Sequence, residues 1–398
     1  MQIVGVICEY DPFHTGHLWQ LAELRRRGAT GVICCMSGNF TQRGGCAVVR
    51  KHVRAEAALR GGADLVLELP VPWATASAEG FARGGVAVLS ATGAIDTLAF
   101  GSECADTAQL VRVADALLSR DFATALKSEL VKGDSFAAAR QRAAETLLGA
   151  DAAVLSAPND ILGVEYCKAL RGTSLAPLAL PRVGAAHGGA ASGGFASASH
   201  IRALLRAGAD AAAYLSPAMR ALYETERAAG RAPTSPDALE RAMLARLRSM
   251  DEADFAAYDA GGEGLYRRFH DAAHAGATLA DVLARAKTKR YAHARLRRLA
   301  LSVFLGVTAE ARAAAVPYLR VLGMTDKGKS LLHTMRKTAT LPVIVKPADA
   351  RAVSPAARRL MELEARATDL YALAYPDLRQ STPGDEWRAG PRQKHLLS

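Results

Sequence analysis

Along the first half of the chain, short β-branched apolar runs alternate with amphipathic segments. "QIVGVIC" is followed by "LWQLAELRRRGA", "GVICCMSG" by "VRAEAALRGGA", and "DLVLELP" by "SAEGFARGGVAVLSATGA". The strand-like "DTLAFGS", a helical stretch over 107–118, the helical "NDILGVEYCKAL" and the strand-like "LAPLALPRV" continue the series. Strands separated by helices of this length predict a parallel sheet covered on both faces. In such sheets ligands bind beyond the carboxyl ends of the strands, near the point where strand order reverses. The loops that leave each strand are therefore where chemistry is expected.

The pattern changes after a glycine-rich loop, "GAAHGGAASGG", and the segment "FASASHIRALLRAG". Beyond about residue 206 come alanine-rich amphipathic helices, among them "SPDALERAMLARLRSM", "LADVLARAKTKRYAHARLRRLALSVFLG" and "SPAARRLMELEARATDLYALAYP". "LPVIVK" is the one clear strand-like run of that half. The expected organisation is an α/β domain over 1–205 followed by a mainly α-helical domain over 206–398.

Composition narrows the class. The chain has 398 residues, 50% of them hydrophobic and 22% charged, which is ordinary for a globular protein of more than one domain. No apolar run approaches the roughly 18 residues of a membrane span, and no basic stretch with an apolar core opens the chain, so a cytoplasmic protein without membrane contact is expected. Lysine and arginine number 50 against 39 acidic residues, and the net charge of +11 favours a polyanionic partner where the excess is clustered. Cys8, Cys34, Cys35, Cys46, Cys104 and Cys167 lie in or beside apolar segments without a C-x-x-C pair, and read as buried free thiols rather than metal ligands.

Leaving the first strand, the loop "EYDPFHT" leads into a helix that begins at "GHLWQLAEL". It carries His14 and His17 around Gly16, at a helix N-terminus whose unpaired N–H groups and partial positive charge suit a phosphate. Two imidazoles there supply donors for charge that builds on a phosphate in the transition state. The bland alternative is that His14 and His17 are a loop residue and a helix cap. Near the end of the α/β half, "SASHIR" offers Ser197 or Ser199 as a helix N-cap and Arg202 as a cation able to reach phosphates.

His14-Thr15-Gly16-His17 after an N-terminal strand resembles the H-x-G-H signature of the nucleotidyltransferase superfamily, and "SASHIR" is similar to its second signature. That resemblance implies a HUP-type, Rossmann-like fold and chemistry at the α-phosphate of ATP. More closely, "EYDPFHTGH", "MSGNFTQRG", "GADLVLELP", "FGSE", "PNDILGVEY", "SASHIR", "TKRYAHARLRR" and "ATDLYALAYP" together resemble the tRNA(Met) cytidine acetate ligase family over nearly the whole chain. The family forms acetyl-adenylate from ATP and acetate, then acetylates N4 of the wobble cytidine of elongator tRNA(Met).

The resemblance implies His14 and His17 as the catalytic pair. It implies an ATP site built from Ile7, Cys8, Glu9, Tyr10, Asp11, Pro12, Phe13, His14, Thr15, Gly16, His17, Leu18, Trp19 and Gln20, joined by Gly101, Asn159, Arg182, Ser199 and Arg202. A plain helix cap at Asn159 and a surface position for Arg182 are the alternatives. Magnesium would arrive with ATP, although no carboxylate cluster marks a site of its own. Gly45 stands where the family often has glutamate, and Asp11 where asparagine is usual. Those departures leave the acetate pocket and the base that takes the cytidine proton unassigned.

The run "KTKRYAHARLRR" is expected on a helix and carries Lys287, Lys289, Arg290, Arg295, Arg297 and Arg298. It is either a solvated face or a surface for tRNA phosphates, the reading favoured here. Tyr291 either stacks on a base or packs in the core. Residues 42–47 also fit the Q-x-x-G-x-A pattern of acetyl-CoA acetyltransferases, which keeps acetyl-CoA as a competing donor. The competing functions are nucleotidyl transfer to a small phosphorylated metabolite, or RNA binding by an inactive nucleotide fold. Oligomeric state stays open.

Overall fold

The computed structural model describes residues 2–133, 135–182, 194–259 and 264–394. Apart from Gly194, the glycine-rich loop predicted over 184–194 lies outside them. Five strands form the expected parallel core: β1 (Gln2–Cys8), β2 (Ala29–Ser37), β3 (Leu65–Leu69), β4 (Thr97–Ser102) and β5 (Ala176–Pro181), in the order β3-β2-β1-β4-β5. Val6 of β1 lies opposite Cys34 of β2 and Ala99 of β4, so β1 is the centre. Helices cover both faces, which is why "GVICC" and "LVLEL" read as continuous apolar runs rather than alternating ones. Strand order reverses between β1 and β4, and the crevice at their carboxyl ends is the place where ligands of such sheets bind.

The helices that border this crevice are α1 (Thr15–Arg26), α3 (Ala78–Ser90), α4 (Pro158–Ala169) and α5 (Ala198–Arg206), while α2 (Lys51–Arg60) follows the second strand elsewhere on the sheet. Farther along lie α6 (His293–Leu305) and α7 (Pro355–Ala372). Each begins where the sequence changes from a strand exit or turn to an amphipathic run. Ser197 caps α5 by accepting from the His200 amide at 3.2 Å, so the cap is Ser197 rather than Ser199.

The second half differs from expectation in its strands. "LPVIVK" contributes only the short β7 (Val343–Ile344), whereas the strongest strand is β6 (Leu319–Thr325), buried along its whole length. β6 pairs antiparallel with β3, and β7 and β8 (Arg392–Lys394) pair parallel with β6. Arg320 and Gly323 interrupt the apolar run of β6, and its partner lies some 250 residues away, so no local pattern announces it. The division expected at 205/206 therefore does not divide the sheet.

One buried ionic cluster joins the halves. Lys51 Nζ lies 2.6 Å from Glu68 Oε1 and 2.6 Å from Glu386 Oε2, and Arg320 Nη2 lies 3.8 Å from Glu386 Oε1. Burial opposes the Lys51 charge, but Glu386, Glu68 and Glu364 hold its pKa above the ordinary lysine value. All six cysteines are free, and all but the half-buried Cys104 are buried. Among the described residues, no helix is long and apolar enough to cross a membrane.

Candidate active site

The β1–α1 connection is held in an unusual conformation. Tyr10 is a non-glycine residue at φ 47°, in the left-handed region, and its buried ring packs 4.9 Å from Phe13 and 4.7 Å from His17. His14 is the N-cap of α1: its Nδ1 accepts from the Gly16 amide at 3.0 Å, and the His14 amide donates to His17 Nδ1 at 3.3 Å. The two rings stack with centroids 3.7 Å apart. Helix capping and a place in the site are thus compatible roles.

Because each Nδ1 accepts, each neutral ring carries its proton on Nε2. Burial, then Arg182 and Arg202, pushes His14 down to about 3; burial, then His14 and Arg182, holds His17 well below the ordinary imidazole range. Both shifts favour the neutral imidazoles, whose Nε2–H groups can donate hydrogen bonds.

They border a cleft of about 320 Å³ at the carboxyl ends of β1, β4 and β5. Arg43, Arg182 and Arg202 line it as well. Arg202 is positioned by its donor bonds to the Asp11 carbonyl (2.7 Å) and Ser199 Oγ (3.1 Å), and Arg43 donates to the same Ser199 Oγ at 2.9 Å. Asp11 Oδ1 accepts from the Val48 amide at 2.7 Å, so the residue that departs from the family pattern anchors the loop from within. Burial raises the Glu9 carboxyl, which accepts from the Gln42 amide at 2.7 Å. Three guanidinium groups around two neutral imidazoles form an arrangement that a polyphosphate relieves. The lining also includes the apolar Ile7, Phe81, Phe100 and Leu162 together with Tyr166 and Asn159, a set that suits a nucleobase.

Comparison with known proteins fits this geometry. A family profile described as HIGH Nucleotidyl Transferase matches residues 1–385. The tRNA(Met) cytidine acetate ligase of Acetivibrio thermocellus is 35% identical over 409 residues, spanning 97% of this chain and 98% of that protein. The Thermotoga petrophila enzyme of the same name is 37% identical over 401 residues, covering 94% and 96%. The chain belongs to the tRNA(Met) cytidine acetate ligase family. Thermotoga maritima TmcAL superposes over 100% of both chains at 34% identity, with a TM-score of 0.91 for the crystal structure bound with alpha-thio ATP and 0.94 for the apo form.

Within this family member, Ile7, Cys8, Glu9, Tyr10, Asp11, His14, Gly16, His17, Trp19, Gln20, Gly101, Asn159, Arg182, Ser199 and Arg202 all border the cleft. Four of the expected ATP residues do not. Pro12 and Phe13 are buried beneath the loop, Leu18 packs on the apolar cluster behind α1, and Thr15 Oγ1 donates outward to the Gly194 carbonyl at 3.1 Å. The helical period that turns Gly16, His17 and Gln20 inward turns residues 15 and 18 away. Asn159 is not a cap; it is the second residue of α4, and its Nδ2 donates to Glu103 Oε1 at 2.5 Å.

Gln42 and Arg43 also border the cleft, although neither was singled out for it. They sit in a hairpin whose strands, Phe40–Thr41 and Gly45–Cys46, pair antiparallel, and α2 starts only at Lys51. The Q-x-x-G-x-A match therefore lacks the helix start that gives that pattern its meaning. The available signal was a basic residue in the exit loop of a central strand.

The basic run is also corrected. Residues 287–292 are irregular, because Thr288 Oγ1 accepts from the Arg290 and Tyr291 amides in a local turn that competes with helix. Lys287, Lys289, Arg290 and Arg297 are exposed, and Arg295 and Arg298 are half-buried. Tyr291 is buried under Arg295, 5.2 Å from its ring, so it packs in the core. Arg297 lies directly against the hairpin: a Cβ on Gly44, at φ +80°, would stand 3.0 Å from Arg297 Cγ. The basic surface thus begins next to Arg43. Among the described residues, no three His, Cys, Asp or Glu side chains gather as a metal site.

Proposed function

We propose that this chain is an ATP-dependent acetate ligase that acetylates N4 of the wobble cytidine of elongator tRNA(Met), working in the cytoplasm. The observation that carries the reading is the union of near-full-length kinship to ligases of that name with a single cleft holding His14, His17 and three arginines. ATP lies across the strand ends, with its base toward the apolar side chains and its phosphates toward Arg43, Arg182 and Arg202. An acetate oxygen attacks the α-phosphorus, the bond to the β-phosphate oxygen breaks, and pyrophosphate leaves with the electron pair. The Nε2–H groups of His14 and His17 follow the charge that builds on the phosphoryl oxygens.

The cytidine N4 then attacks the acetyl carbon, the bond to the phosphate oxygen breaks, AMP leaves and N4 loses a proton. Reading one cytidine requires its loop base out of the stack. The domain over 206–398 holds the tRNA through Lys287, Lys289, Arg290 and Arg297, with Arg295 and Arg298 shaping that surface from below. Any magnesium comes with ATP, held through the phosphates and water. The test is mass analysis of tRNA(Met) incubated with the protein, ATP and labelled acetate, or with acetyl-CoA alone. Label at the wobble cytidine in the first mixture alone is expected; acetylation from acetyl-CoA without ATP refutes the reading.

A further inference from the structure

A second cleft, of about 250 Å³, opens at the N-terminus of α2 and shares no lining residue with the first. Its lining includes Arg50, Lys51, Arg388 and Arg392 against Asp385 and Glu386. Each of the four cations has a carboxylate partner, and Arg392 has the most distant one; the ten-residue α2 adds the positive end of its dipole, with the Lys51 amide already donating to Asn39 Oδ1 at 2.8 Å. The independent observation is His52. It lines the same cleft, is only 7% exposed, and neither ring nitrogen has a hydrogen-bond partner. A buried imidazole left so is uncommon, and a small ion or water that reaches it is one way to satisfy it.

The cations differ in how firmly they are held. Arg50 is bidentate on Glu226, Lys51 is enclosed by Glu68 and Glu386, and Arg388 is 3.0 Å from Asp385. Arg392 is held loosely, 3.9 Å from Glu56 Oε2, with its side chain 41% exposed. A small oxyanion beside α2 would take a donor bond from His52 and charge from Arg392, while Lys51 and Arg320 neutralise Glu386. We propose that this cleft binds a phosphate group, through His52, Arg392 and the N-terminus of α2. The group is either a backbone phosphate of the RNA, which rests on the tRNA reading above, or a free phosphate.

The full chain and its Arg392→Gln and His52→Gln variants are compared in two titrations. Labelled tRNA(Met) is titrated at several salt concentrations, and inorganic phosphate is titrated by calorimetry with the first cleft filled by α,β-methylene-ATP. For an RNA phosphate, each variant binds tRNA roughly tenfold more weakly, and Arg392→Gln lowers the salt slope by about 0.7–0.9, the share of one phosphate contact. For a free phosphate, tRNA affinity is unchanged, but phosphate binds the parent and not the variants. Unchanged tRNA affinity together with no phosphate binding by the parent overturns the proposal. So does equal phosphate binding by parent and variants without a change toward tRNA. Arg392→Gln keeps the test valid if His52→Gln fails to fold. Acetyl-adenylate formation is measured alongside and should not change. Because the phosphate titration needs no turnover, a parent without ligase activity would reject the ligase and leave this site standing.

Discussion

Replacing His17 separates its two roles. Its Nδ1 accepts the His14 amide at 3.3 Å and helps cap α1, while its Nε2–H is the donor that the proposed mechanism assigns to the phosphate. His17→Ala removes both, at a cost of about 1 kcal/mol for the cap and roughly 10²–10³ in rate for a preorganised transition-state donor. His17→Asn puts an amide oxygen near the position of Nδ1, so it largely keeps the cap, but its shorter side chain does not reach where Nε2 reaches. Both variants should lose acetate-dependent pyrophosphate–ATP exchange to a similar extent, and only His17→Ala should lose about 1 kcal/mol in urea unfolding. His17→Ala that stays folded and keeps more than a tenth of the exchange rate would refute the catalytic reading. Recovery of exchange in His17→Asn would reduce the histidine to a helix cap.

Arg43→Gln keeps a donor toward Ser199 but removes a charge from the cleft; exchange should fall roughly 10- to 100-fold, the weight of one charge-assisted contact, with KM for ATP raised. An unchanged KM would argue against phosphate contact. Lys287, Lys289 and Arg290 changed together to Gln should weaken tRNA binding and shrink its salt slope, with exchange unaffected; a slope equal to that of the parent would remove the segment from the RNA surface. Burial, then Lys51, lowers His52 to about 3, opposed by Glu386 and reinforced by Arg320 and Arg392. Its folded pKa lies below the unfolded value of about 6.5, so its stability contribution is full above that value and is lost as pH falls toward 3. Between pH 7.5 and 5.5 the parent should therefore lose about 1.4 kcal/mol more than His52→Gln, a difference that cancels the opposing raised carboxylates Glu68 and Glu364. Parallel urea-stability curves would contradict it.

The parallel core was legible because each of its strands is a short apolar run flanked by a helix, and the strand-end rule led directly to the β1–α1 loop. His14 and His17 stood out by spacing, and Arg202 by its place just after a serine cap. What stayed hidden depends on distant partners. β6 carries Arg320 within a buried strand, and Glu386 with the Val345 and Ala389 carbonyls makes that position tolerable. Arg43 was hidden for a related reason: its hairpin gains meaning from Ser199, 156 residues away. The run at 287–298 looked helical because the leucines on either side of it suggest a buried helical stripe, while the turn at Thr288 is a side-chain effect that periodicity does not register.

The same hairpin argues against a second half that is loosely tethered. Gln42 is fixed by Glu9, Arg43 by Ser199, Gly44 packs on Arg297, and the Ala47 carbonyl accepts from Thr234 Oγ1 and from Tyr371 OH at 3.0 Å. One short element thus touches the ATP cleft on one side and three segments of the second half on the other. A fragment ending at residue 205 would lose all of the latter contacts. It would also bare the edge of β3, whose five residues are buried, and leave Lys51 without Glu386. Breaking a buried ion pair alone costs about 3–5 kcal/mol, against about 5–15 kcal/mol for the whole stability of a typical domain. The fragment should therefore lack a cooperative urea transition and bind no ATP, and a cooperatively folding, ATP-binding fragment would show that the α/β half is an independent domain after all.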